Sequence, residues 1–473
     1  MQTLNVVWLR NDLRCLDNAV LCSALEHAEQ TNAAVLVLYI ATPETWAQHQ
    51  MAPIKQDLIR RRVLQLQQEL TALQLPLLAV EGSSYQQVPQ LFTTLCQQFV
   101  LNVFVQTEYE LREQQRDLAV EQVVQAHQGQ FIRFDTQCIM APGSVRTQQG
   151  EIYKVFTPFK RTWLAQLHQR GVHCYGRPRV LHQPRLVLPE LPLLQAKDNS
   201  SVDWPVAELD VLEMMRTFCR EKVADYHQRR DFPAVAGTSR LSAYLAIGVV
   251  SPAQCVARLQ LEAADSWTQD NSGAEVWLSE LIWREFYKHI LLAYPNLIKH
   301  RPFQVDTAAI RWINNPQLFK AWCNGQTGYP IVDAAMRQLN QTGWMHNRLR
   351  MISASFLVKD LHIDWRWGER YFMSKLIDGD FAANNGGWQW AASTGTDAAP
   401  YFRVFNPISQ SEKFDPNGEF IRLYVPELSQ LHDKAVHWPH SHGVVNGYPQ
   451  PVVDHAVARK LTLALFSEVK KHK

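Results

Sequence analysis

Residues able to do chemistry recur at helical spacing near the middle of the chain. Trp277, Glu280, Arg284 and Tyr287 stand at i, i+3, i+7 and i+10, with Trp283 beside them. A helix therefore presents them on one broad face. A carboxylate and a guanidinium among aromatic rings predict either a buried Glu–Arg pair under aromatic packing or the wall of a pocket. In a pocket the rings stack on a planar ligand and the carboxylate hydrogen-bonds it.

A second helical pattern places Trp344, Asn347 and Met351 at i, i+3 and i+7, with Arg348 and Arg350 between them. An amide can hydrogen-bond a base edge, an arginine can bind a phosphate, and a methionine fills irregular apolar space. Taken alone, the pattern is more often that of an ordinary amphipathic helix.

Two further segments are rich in polar and small residues. Gly237–Ser242 precedes an apolar run and contains Thr238, Ser239, Arg240, Leu241 and Ser242. Hydroxyls at a helix start predict a phosphate cradle, with a simple N-cap as the alternative. The segment from Asp378 to Trp390 combines acids, amides, glycines and tryptophans, which are poor material for a helix. We expect a functional loop there, where glycine lets the backbone approach a flat ligand.

The composition limits the class of protein. The chain has 473 residues, with 47 Lys and Arg against 45 Asp and Glu, and 12 of its 15 tryptophans follow residue 200. A uniformly basic nucleic-acid-binding surface is therefore excluded. From Trp277 onward there are 22 Lys and Arg against 17 Asp and Glu, which favours a local basic rim. The tryptophans predict a large helical core, a stacking site for planar ligands, or both.

The eight cysteines are scattered and form no C-x-x-C pair, so no metal site is predicted. Their distribution is typical of a reducing compartment. The chain lacks an 18-residue apolar stretch and a signal-peptide pattern, which predicts a cytoplasmic protein without a membrane span.

The first 135 residues alternate short apolar runs with amphipathic stretches, which predicts a doubly wound α/β domain with a parallel five-stranded sheet. Glycines in the G-x-G-x-x-G pattern are absent after the first run, so a dinucleotide fingerprint is not predicted. Residues 136–205 are expected to form a connector that includes a proline-rich loop from Arg177 to Pro205. Residues 206–473 are expected to form an all-helical domain. The predicted strands are Asn5–Leu9, Ala33–Ile40, Leu75–Val80, Leu101–Thr107 and Phe131–Phe134, and the later helices include Glu208–Arg229, Ser251–Ala264, Ala274–Leu292, Pro330–Leu339, Gly343–Asp360 and Trp367–Ile377.

Long motifs in the second half resemble the DNA photolyase/cryptochrome family: Ser279–Tyr287, Thr327–Ala334, Trp344–Met351 and Asn384–Pro400. Trp8–Arg14 resembles the opening motif of the family. The resemblance covers nearly the whole chain and is greatest to bacterial class I cyclobutane pyrimidine dimer photolyases. It implies an N-terminal antenna domain, a C-terminal helical domain that binds FAD, and light-driven repair of dimer-containing DNA by a monomer with FADH⁻ as the active cofactor.

The resemblance also implies roles for individual residues. Arg350 and Asp378 match an ion pair beside the isoalloxazine, and Asn384 matches the residue that faces flavin N5. The positions that match FAD contacts are Tyr226, Thr238, Ser239, Arg240, Leu241, Ser242, Trp277, Arg284, Trp344, Asn347, Arg350, Asp378, Gly379, Asp380 and Asn384.

For the lesion, Glu280 matches the carboxyl that hydrogen-bonds the dimer, and Trp283 and Trp390 match its stacking walls. Other lesion or DNA positions are Arg230, Arg284, Tyr287, Asn347, Arg348, Met351 and Gln410. Trp312, Trp365 and Trp388 match the chain that carries electrons from the surface to FAD, although their spacing alone describes only three core tryptophans.

The antenna implied by the resemblance is methenyltetrahydrofolate, bound between the domains at His49, Glu113 and Lys299. Arg112 replaces an asparagine typical of folate-binding relatives, and Ile298 stands where a cysteine can occur. A deazaflavin is therefore the alternative antenna.

Three other functions remain alternatives. A cryptochrome-type light sensor shares the fold and FAD but typically lacks the set of Glu280, Trp283 and Trp390. A (6-4) photolyase usually has histidines at the positions of Asn347 and Met351. A dark flavin oxidoreductase would need a nicotinamide site, for which the sequence has no fingerprint.

Overall fold

The computed structural model describes residues 1–180, 183, 186–195, 200–264, 266–443 and 445–471. Within them, five parallel strands form one sheet in the order β3-β2-β1-β4-β5. The chain fills one side of β1 before it crosses to the other, so the predicted doubly wound fold is confirmed. The strands are β1 (Gln2–Leu9), β2 (Ala34–Ala41), β3 (Leu77–Glu81), β4 (Phe99–Gln106) and β5 (Gln130–Phe134).

Helices cover this sheet and bury its apolar side chains. In the central register Val6 pairs with Leu36 on one side and Val103 on the other, and all three are fully buried. Strands that are buried on both faces explain the continuous apolar runs in the sequence. The helices of this part are α1 (Ala19–Thr31), α2 (Pro43–Gln48), α3 (Pro53–Thr71), α4 (Val88–Cys96) and α5 (Leu111–Ala126).

The proline-rich connector covers one edge of the sheet. The amide of Glu81 donates to the carbonyl of Pro192 at 2.8 Å, and the amide of Leu194 donates to the carbonyl of Ala79 at 2.9 Å. An antiparallel bridge joins Val80 to Leu193. The connector thus satisfies backbone groups that an edge strand leaves open. Residues 181, 182, 184, 185 and 196–199 of this predicted loop lie outside the described residues.

The predicted connector also contains a helix that the sequence analysis missed, α6 (Phe156–Arg170). Phe159, Trp163 and Leu167 recur at i, i+4 and i+8 and are buried. This apolar stripe was a usable helical signal.

The second half is helical, as predicted, with three corrections to helix bounds. The helix expected over Trp367–Ile377 spans Trp365–Met373. The expected helix over 208–229 is broken after Glu221, and the carbonyl of Val223 faces Gly273, where a Cβ would lie 2.0 Å from it. The helix expected to start at Gly343 starts at Asn347, because Gly343 has a φ of 68° and ends the preceding helix. The helices are α7 (Glu208–Glu221), α8 (Tyr226–Arg229), α9 (Ser242–Ile247), α10 (Pro252–Glu262), α11 (Gly273–Ala293), α12 (Pro316–Cys323), α13 (Pro330–Thr342), α14 (Asn347–Lys359), α15 (Trp365–Met373), α16 (Phe381–Ala391), α17 (Pro407–Phe414), α18 (Glu419–Tyr424), α19 (Asp433–His437) and α20 (His455–Lys471).

Contacts divide the chain into two compact units. The first comprises Met1–Tyr153, Thr157–Ala224 and Ser239–Pro295, and the second comprises Lys154–Phe156, Asp225–Thr238 and Asn296–Lys473. The sheet core lies in the first unit, and a core around Leu349, Phe356 and Trp365 lies in the second. The domain bounds expected from composition stay a prediction.

All eight cysteines lie among the described residues, and each is a free thiol. None of the described helices is both long enough and apolar enough to cross a membrane.

Candidate functional site

Helix α11 has one face that stays partly open. Ser272 caps the helix by accepting a hydrogen bond from the amide of Glu275. Glu280, Trp283, Arg284 and Tyr287 are half-buried, whereas the opposite side of the helix is buried. A carboxylate, a guanidinium and two rings on a face that water can reach are placed to meet a ligand.

Arg284 is hydrogen-bonded to the backbone of two other segments. Its guanidinium donates to the carbonyl of Gln137 at 3.0 Å and to that of Leu245 at 3.3 Å. Arg284 thus ties α11 to the C-terminal end of α9 and to the loop after β5. Trp283 packs against Tyr287 with ring centroids 5.5 Å apart, which holds the two rings on the open face.

The Gly237–Ser242 segment leads into α9 without a side-chain cap. Leu241 occupies the N-cap position and makes no such hydrogen bond, so the simple N-cap alternative is wrong. Arg240 has a φ of 54°, and its guanidinium lies 4.8 Å from the ring centroid of Trp204. The segment is irregular backbone that carries hydroxyls and an arginine ahead of a six-residue helix.

The opening motif of the chain anchors the other end of α9. Gly248 has a φ of 74°, and a Cβ there would lie 2.0 Å from the carbonyl oxygen of Asn11. The amide of Leu13 donates to the carbonyl of Ile247 at 3.2 Å, and Arg14 donates to the carbonyl of Gly248 at 3.1 Å. Only glycine fits this approach. The sequence analysis identified both segments but not their contact.

Helix α14 presents polar side chains at its first turn. Asn347 is exposed and Met351 is half-buried. His346 caps the helix, since its Nδ1 accepts from the amide of Arg348 at 3.2 Å. Burial lowers the pKa of His346 to about 4, which keeps that acceptor unprotonated at neutral pH. Arg348 itself donates to Asp231 at 2.7 Å.

Arg350 and Asp378, which the resemblance pairs, are in contact. The guanidinium donates to Asp378 Oδ2 at 2.8 Å and to the carbonyl of Met345 at 2.8 Å. Asp378 Oδ1 is buried and has no hydrogen-bond partner among the described residues. A buried carboxylate oxygen without a partner is costly, so this oxygen fits a ligand that donates a hydrogen bond.

The expectation of a loop from Asp378 to Trp390 is wrong from Phe381 onward, because Phe381–Ala391 forms α16. Asp380 supplies the N-cap and accepts from the amide of Ala383 at 3.0 Å. Packing against α15 and α14 overrides the weak helix propensity of the asparagines and glycines. Asn384 and Trp390 are half-buried, and a Cβ at Gly387 would meet nothing within 4 Å.

One carboxylate orders the amides of α16. Glu369, 1% exposed, accepts from Asn385 at 2.7 Å and contacts His300 Nδ1 at 2.7 Å. Its backbone carbonyl accepts from Asn384 Nδ2 at 3.0 Å, and Gln389 donates to Asn385 at 2.9 Å. We name these five residues the Glu369 cluster. The sequence analysis missed Glu369 and His300, since no motif links three separate segments.

The three tryptophans assigned to electron transfer lie in the second unit. Trp365 and Trp388 are buried and Trp312 is half-buried. A Cβ at Gly368 would lie 2.0 Å from the Trp388 ring, so this glycine admits the indole. Trp388 packs edge-on against Trp322 with centroids 6.0 Å apart, and Trp312 packs edge-on against Phe466 at 6.3 Å.

The other predicted residues are found in both units. In the first, Trp277 is buried against Phe218 with ring centroids 5.1 Å apart. In the second, Tyr226 is buried, and the Arg230 guanidinium lies 5.5 Å from its ring centroid. Trp344 and Gln410 are half-buried.

A second polar cluster lies at the carboxyl edge of the sheet, in the first unit. Arg116 donates to Glu108 and to Asp117, each at 2.6 Å, and Arg10 reaches Asp117 at 3.4 Å. Trp8 stacks beneath both guanidiniums, at 4.5 Å and 4.8 Å from its ring centroid. We name Arg10, Glu108, Arg116 and Asp117 the sheet-edge cluster.

His49 and Glu113, two of the predicted antenna residues, lie next to this cluster and 3.5 Å apart. Burial, with Glu110 and Glu108 nearby, raises the pKa of Glu113 to about 8. Burial and Arg112 lower the pKa of His49 to about 4. At neutral pH the contact therefore joins a neutral carboxyl and a neutral imidazole. Lys299 lies in the second unit and is exposed.

Two family models match this chain. The FAD binding domain of DNA photolyase matches residues 277–468, and DNA photolyase matches residues 5–178. A Vibrio cholerae protein named deoxyribodipyrimidine photo-lyase is 54% identical over 99% of this chain and 100% of its own length. The protein of that name from Escherichia coli strain K12 is 48% identical over 100% of both.

The chain belongs to the DNA photolyase family. The crystal structure of a bacterial class III photolyase from Agrobacterium tumefaciens superposes with a TM-score of 0.83 at 33% identity, covering 100% of this chain and 98% of that one. The photolyase fold therefore extends through both units.

One acidic group in this photolyase-family chain has metal-ligand spacing. The ligand atoms of Cys15, Glu69 and Glu208 lie within 4.8 Å of one another. Arg62 occupies the group, however, and donates to Glu69 at 2.7 Å and to Glu208 at 3.4 Å. Burial and Glu208 raise the pKa of the Cys15 thiol, which disfavours the thiolate that a metal would need. The group is best described as an ion-pair network.

Proposed function

We propose that this chain is a light-dependent DNA repair enzyme that splits cyclobutane pyrimidine dimers, with FAD in its reduced form, FADH⁻, as the active cofactor. The observation that carries the proposal is the open face of α11, which offers Glu280, Trp283 and Arg284 to a ligand. The full-length relatives named deoxyribodipyrimidine photo-lyase support the same activity.

The residues present fit FAD. Asp378 Oδ1 lacks a hydrogen-bond partner among the described residues, and Arg350 provides a charge beside it. Asn384 uses its Nδ2 on the Glu369 carbonyl, which leaves its Oδ1 to accept a hydrogen bond from a ligand. The Gly237–Ser242 segment supplies hydroxyls and Arg240 for phosphates. FAD, when bound, supplies the light absorption and one-electron transfer that split the dimer.

The lesion is proposed to contact residues of the open helical faces. A dimer inside duplex DNA must be flipped out before it reaches a buried cofactor, and the distorted site lowers the cost. We assign hydrogen bonding of the dimer to Glu280 and stacking to Trp283 and Trp390. Arg230, Arg348, Met351 and Gln410 are assigned to the lesion or the surrounding DNA, where the two guanidiniums can bind phosphates and release counterions.

For photoactivation, we propose that Trp312, Trp365 and Trp388 carry electrons from the protein surface to FAD. Their burial supports Trp312 as the outermost of the three, because Trp312 is half-buried and the other two are buried. The Trp388 Nε1 has no hydrogen-bond partner among the described residues.

We propose a folate, methenyltetrahydrofolate, as the antenna, at His49, Glu113 and Lys299. A protonated Glu113 can donate one hydrogen bond and accept another, which suits the amide-like edge of a pterin. Arg112 donates to Gln48 at 2.9 Å, so the residue that departs from the folate pattern is held beside His49. A deazaflavin is the competing occupant. We further propose that the enzyme is a cytoplasmic monomer.

The activity is tested with purified protein reconstituted with FAD, reduced, and illuminated with an oligonucleotide that contains one thymine dimer. We expect light-dependent reversal, and Glu280→Ala is expected to lower the repair per absorbed photon while FAD stays bound. Glu213→Ala, on an exposed carboxylate of α7, is the matched control. Absence of repair by the reduced, FAD-loaded protein contradicts the proposed activity, and unchanged repair by Glu280→Ala contradicts the role of Glu280.

A further inference from the structure

An aromatic series continues outward from Trp312. Its indole packs edge-on against Phe466 with centroids 6.3 Å apart and planes at 75°. Phe466 in turn stacks on Tyr401 with centroids 5.7 Å apart and planes at 13°. Phe466, in α20, is buried, and one phenyl ring therefore separates two side chains that can each be oxidised by one electron.

We propose that Tyr401 is an additional redox residue, which reduces oxidised Trp312 through the intervening ring of Phe466. This inference rests on the proposed role of Trp312 in photoactivation. In the step, one electron passes from the Tyr401 phenol to the oxidised indole. The phenol proton leaves to water, which gives neutral Trp312 and a neutral Tyr401 radical.

The environment of Tyr401 suits this step. The residue is half-buried, so solvent is close enough to receive the proton. Oxidation of a phenol ring makes its hydroxyl proton strongly acidic, and loss of that proton to bulk water keeps the electron from returning. The neighbouring Phe402 is 61% exposed, which places Tyr401 at the boundary between core and solvent.

The loop that carries Tyr401 is held at several points, and electron transfer through a ring needs a fixed separation. Lys359 Nζ donates to the carbonyl of Arg403 at 3.0 Å. The amide of Ala399 donates to the carbonyl of Trp390 at 3.2 Å, and Thr396 Oγ1 donates to the carbonyl of Lys154 at 2.5 Å. Lys359 is fully buried, so its contact ties the loop directly to α14.

Tyr371 is a comparison residue in the same unit. It is also one ring away from an assigned tryptophan, since it packs on Trp322 at 5.7 Å and Trp322 packs on Trp388 at 6.0 Å. The single proton of its hydroxyl, however, is shared between two amide oxygens, Asn340 Oδ1 at 2.6 Å and the carbonyl of Cys323 at 3.0 Å. Amide oxygens are poor proton acceptors, and burial raises the pKa of Tyr371 to about 12. Oxidation of Tyr371 is therefore disfavoured.

Time-resolved electron paramagnetic resonance of the illuminated, FAD-loaded protein tests the proposal, with ring-deuterated tyrosine to assign the signal. We expect a tyrosyl radical that Tyr401→Phe abolishes and Tyr371→Phe retains. Phe466→Leu is expected to reduce the tyrosyl signal while a tryptophanyl signal persists, provided that its melting curve matches the wild type. A tyrosyl signal that survives in Tyr401→Phe, or a wild type with tryptophanyl radicals alone, overturns the proposal.

A second arm separates this inference from the proposed function. A ruthenium polypyridyl complex with a sacrificial acceptor, excited at its long-wavelength edge where oxidised FAD does not absorb, oxidises surface tryptophan without excitation of a flavin. The tyrosyl radical is expected again, and its loss in both Trp312→Phe and Tyr401→Phe supports the route. If illumination of the FAD-loaded protein yields no radicals, the proposed photoactivation has failed. If the ruthenium arm yields no Tyr401 radical, the inference itself has failed.

Discussion

The sheet-edge cluster and the Glu369 cluster are both polar and both contain buried carboxylates, but they are stabilised differently. In the first, two guanidiniums neutralise two carboxylates at distances down to 2.6 Å. In the second, the Glu369 carboxylate receives a hydrogen bond from Asn385 and contacts His300, and its carbonyl receives one from Asn384. Ion pairing holds the first cluster together, whereas the second uses one carboxylate to orient uncharged amides. This difference predicts different responses to the loss of one member.

The largest effect is expected for Arg116→Met in the sheet-edge cluster. The substitution leaves Glu108 and Asp117, both less than 10% exposed, without their shortest hydrogen bonds. Removing one partner of a buried ion pair costs about 3–5 kcal/mol. Denaturant unfolding followed by circular dichroism measures the loss, and a change below about 1 kcal/mol would show that Arg10 alone can neutralise both carboxylates.

A smaller effect is expected for Glu369→Gln. Its shape is preserved, but one acceptor oxygen becomes an NH₂ group that faces a donor, at a cost of about 1–3 kcal/mol. The same unfolding measurement applies. The side-chain amide resonance of Asn384 should shift less than that of Asn385, because Asn384 bonds the backbone carbonyl. A stability loss as large as that of Arg116→Met would mean that Glu369 also belongs to a charge-paired cluster.

One carboxyl group next to the sheet-edge cluster should make the stability of the protein depend on pH. Glu113, next to the sheet-edge cluster, has its pKa raised from 4.5 to about 8. Between these values the native state binds more protons than the unfolded state, so its contribution to stability is complete below pH 4.5 and is lost as the pH rises to about 8. Glu113→Gln should flatten this part of the curve in denaturant titrations at several pH values. If the free energies of unfolding of the wild type and Glu113→Gln change in parallel with pH, Glu113 is not the group responsible.

The smallest effect is expected for Arg133→Gln. This arginine donates to both oxygens of Glu121 at 2.8–2.9 Å, but its side chain is 35% exposed. An exposed ion pair contributes about 0.2–1 kcal/mol. The variant is thus the surface control for Arg116→Met, and added salt should reduce its effect further. A loss comparable with that of Arg116→Met would remove burial as the explanation of the difference.

Much of the fold was predictable because its signals are local. The strands of the sheet follow from apolar runs, and Pro252 and Pro330 mark helix starts as expected. The helix α16 was not predicted, because tertiary packing decides it against the local propensity of Asn384, Gly386 and Gly387.

The candidate site likewise contains features that the sequence predicts and features that it does not. The α11 and α14 faces could be predicted from spacing at 3.6 residues per turn. Glu369, His300 and the contact of Gly248 with Asn11 could not, because each joins segments that are distant in sequence and no periodic pattern connects them. The resemblance named Arg350 and Asp378, and the structure adds that one oxygen of Asp378 has no partner among the described residues.

The bridge between Val80 and Leu193 has a consequence for how the protein can be cut. The match to DNA photolyase ends at residue 178, before the segment that pairs with β3. A shortened polypeptide ending there would expose the backbone of β3 to its own copies, and such edges promote intermolecular strand pairing. Expression of the N-terminal part should therefore extend past Leu194 if aggregation is to be avoided.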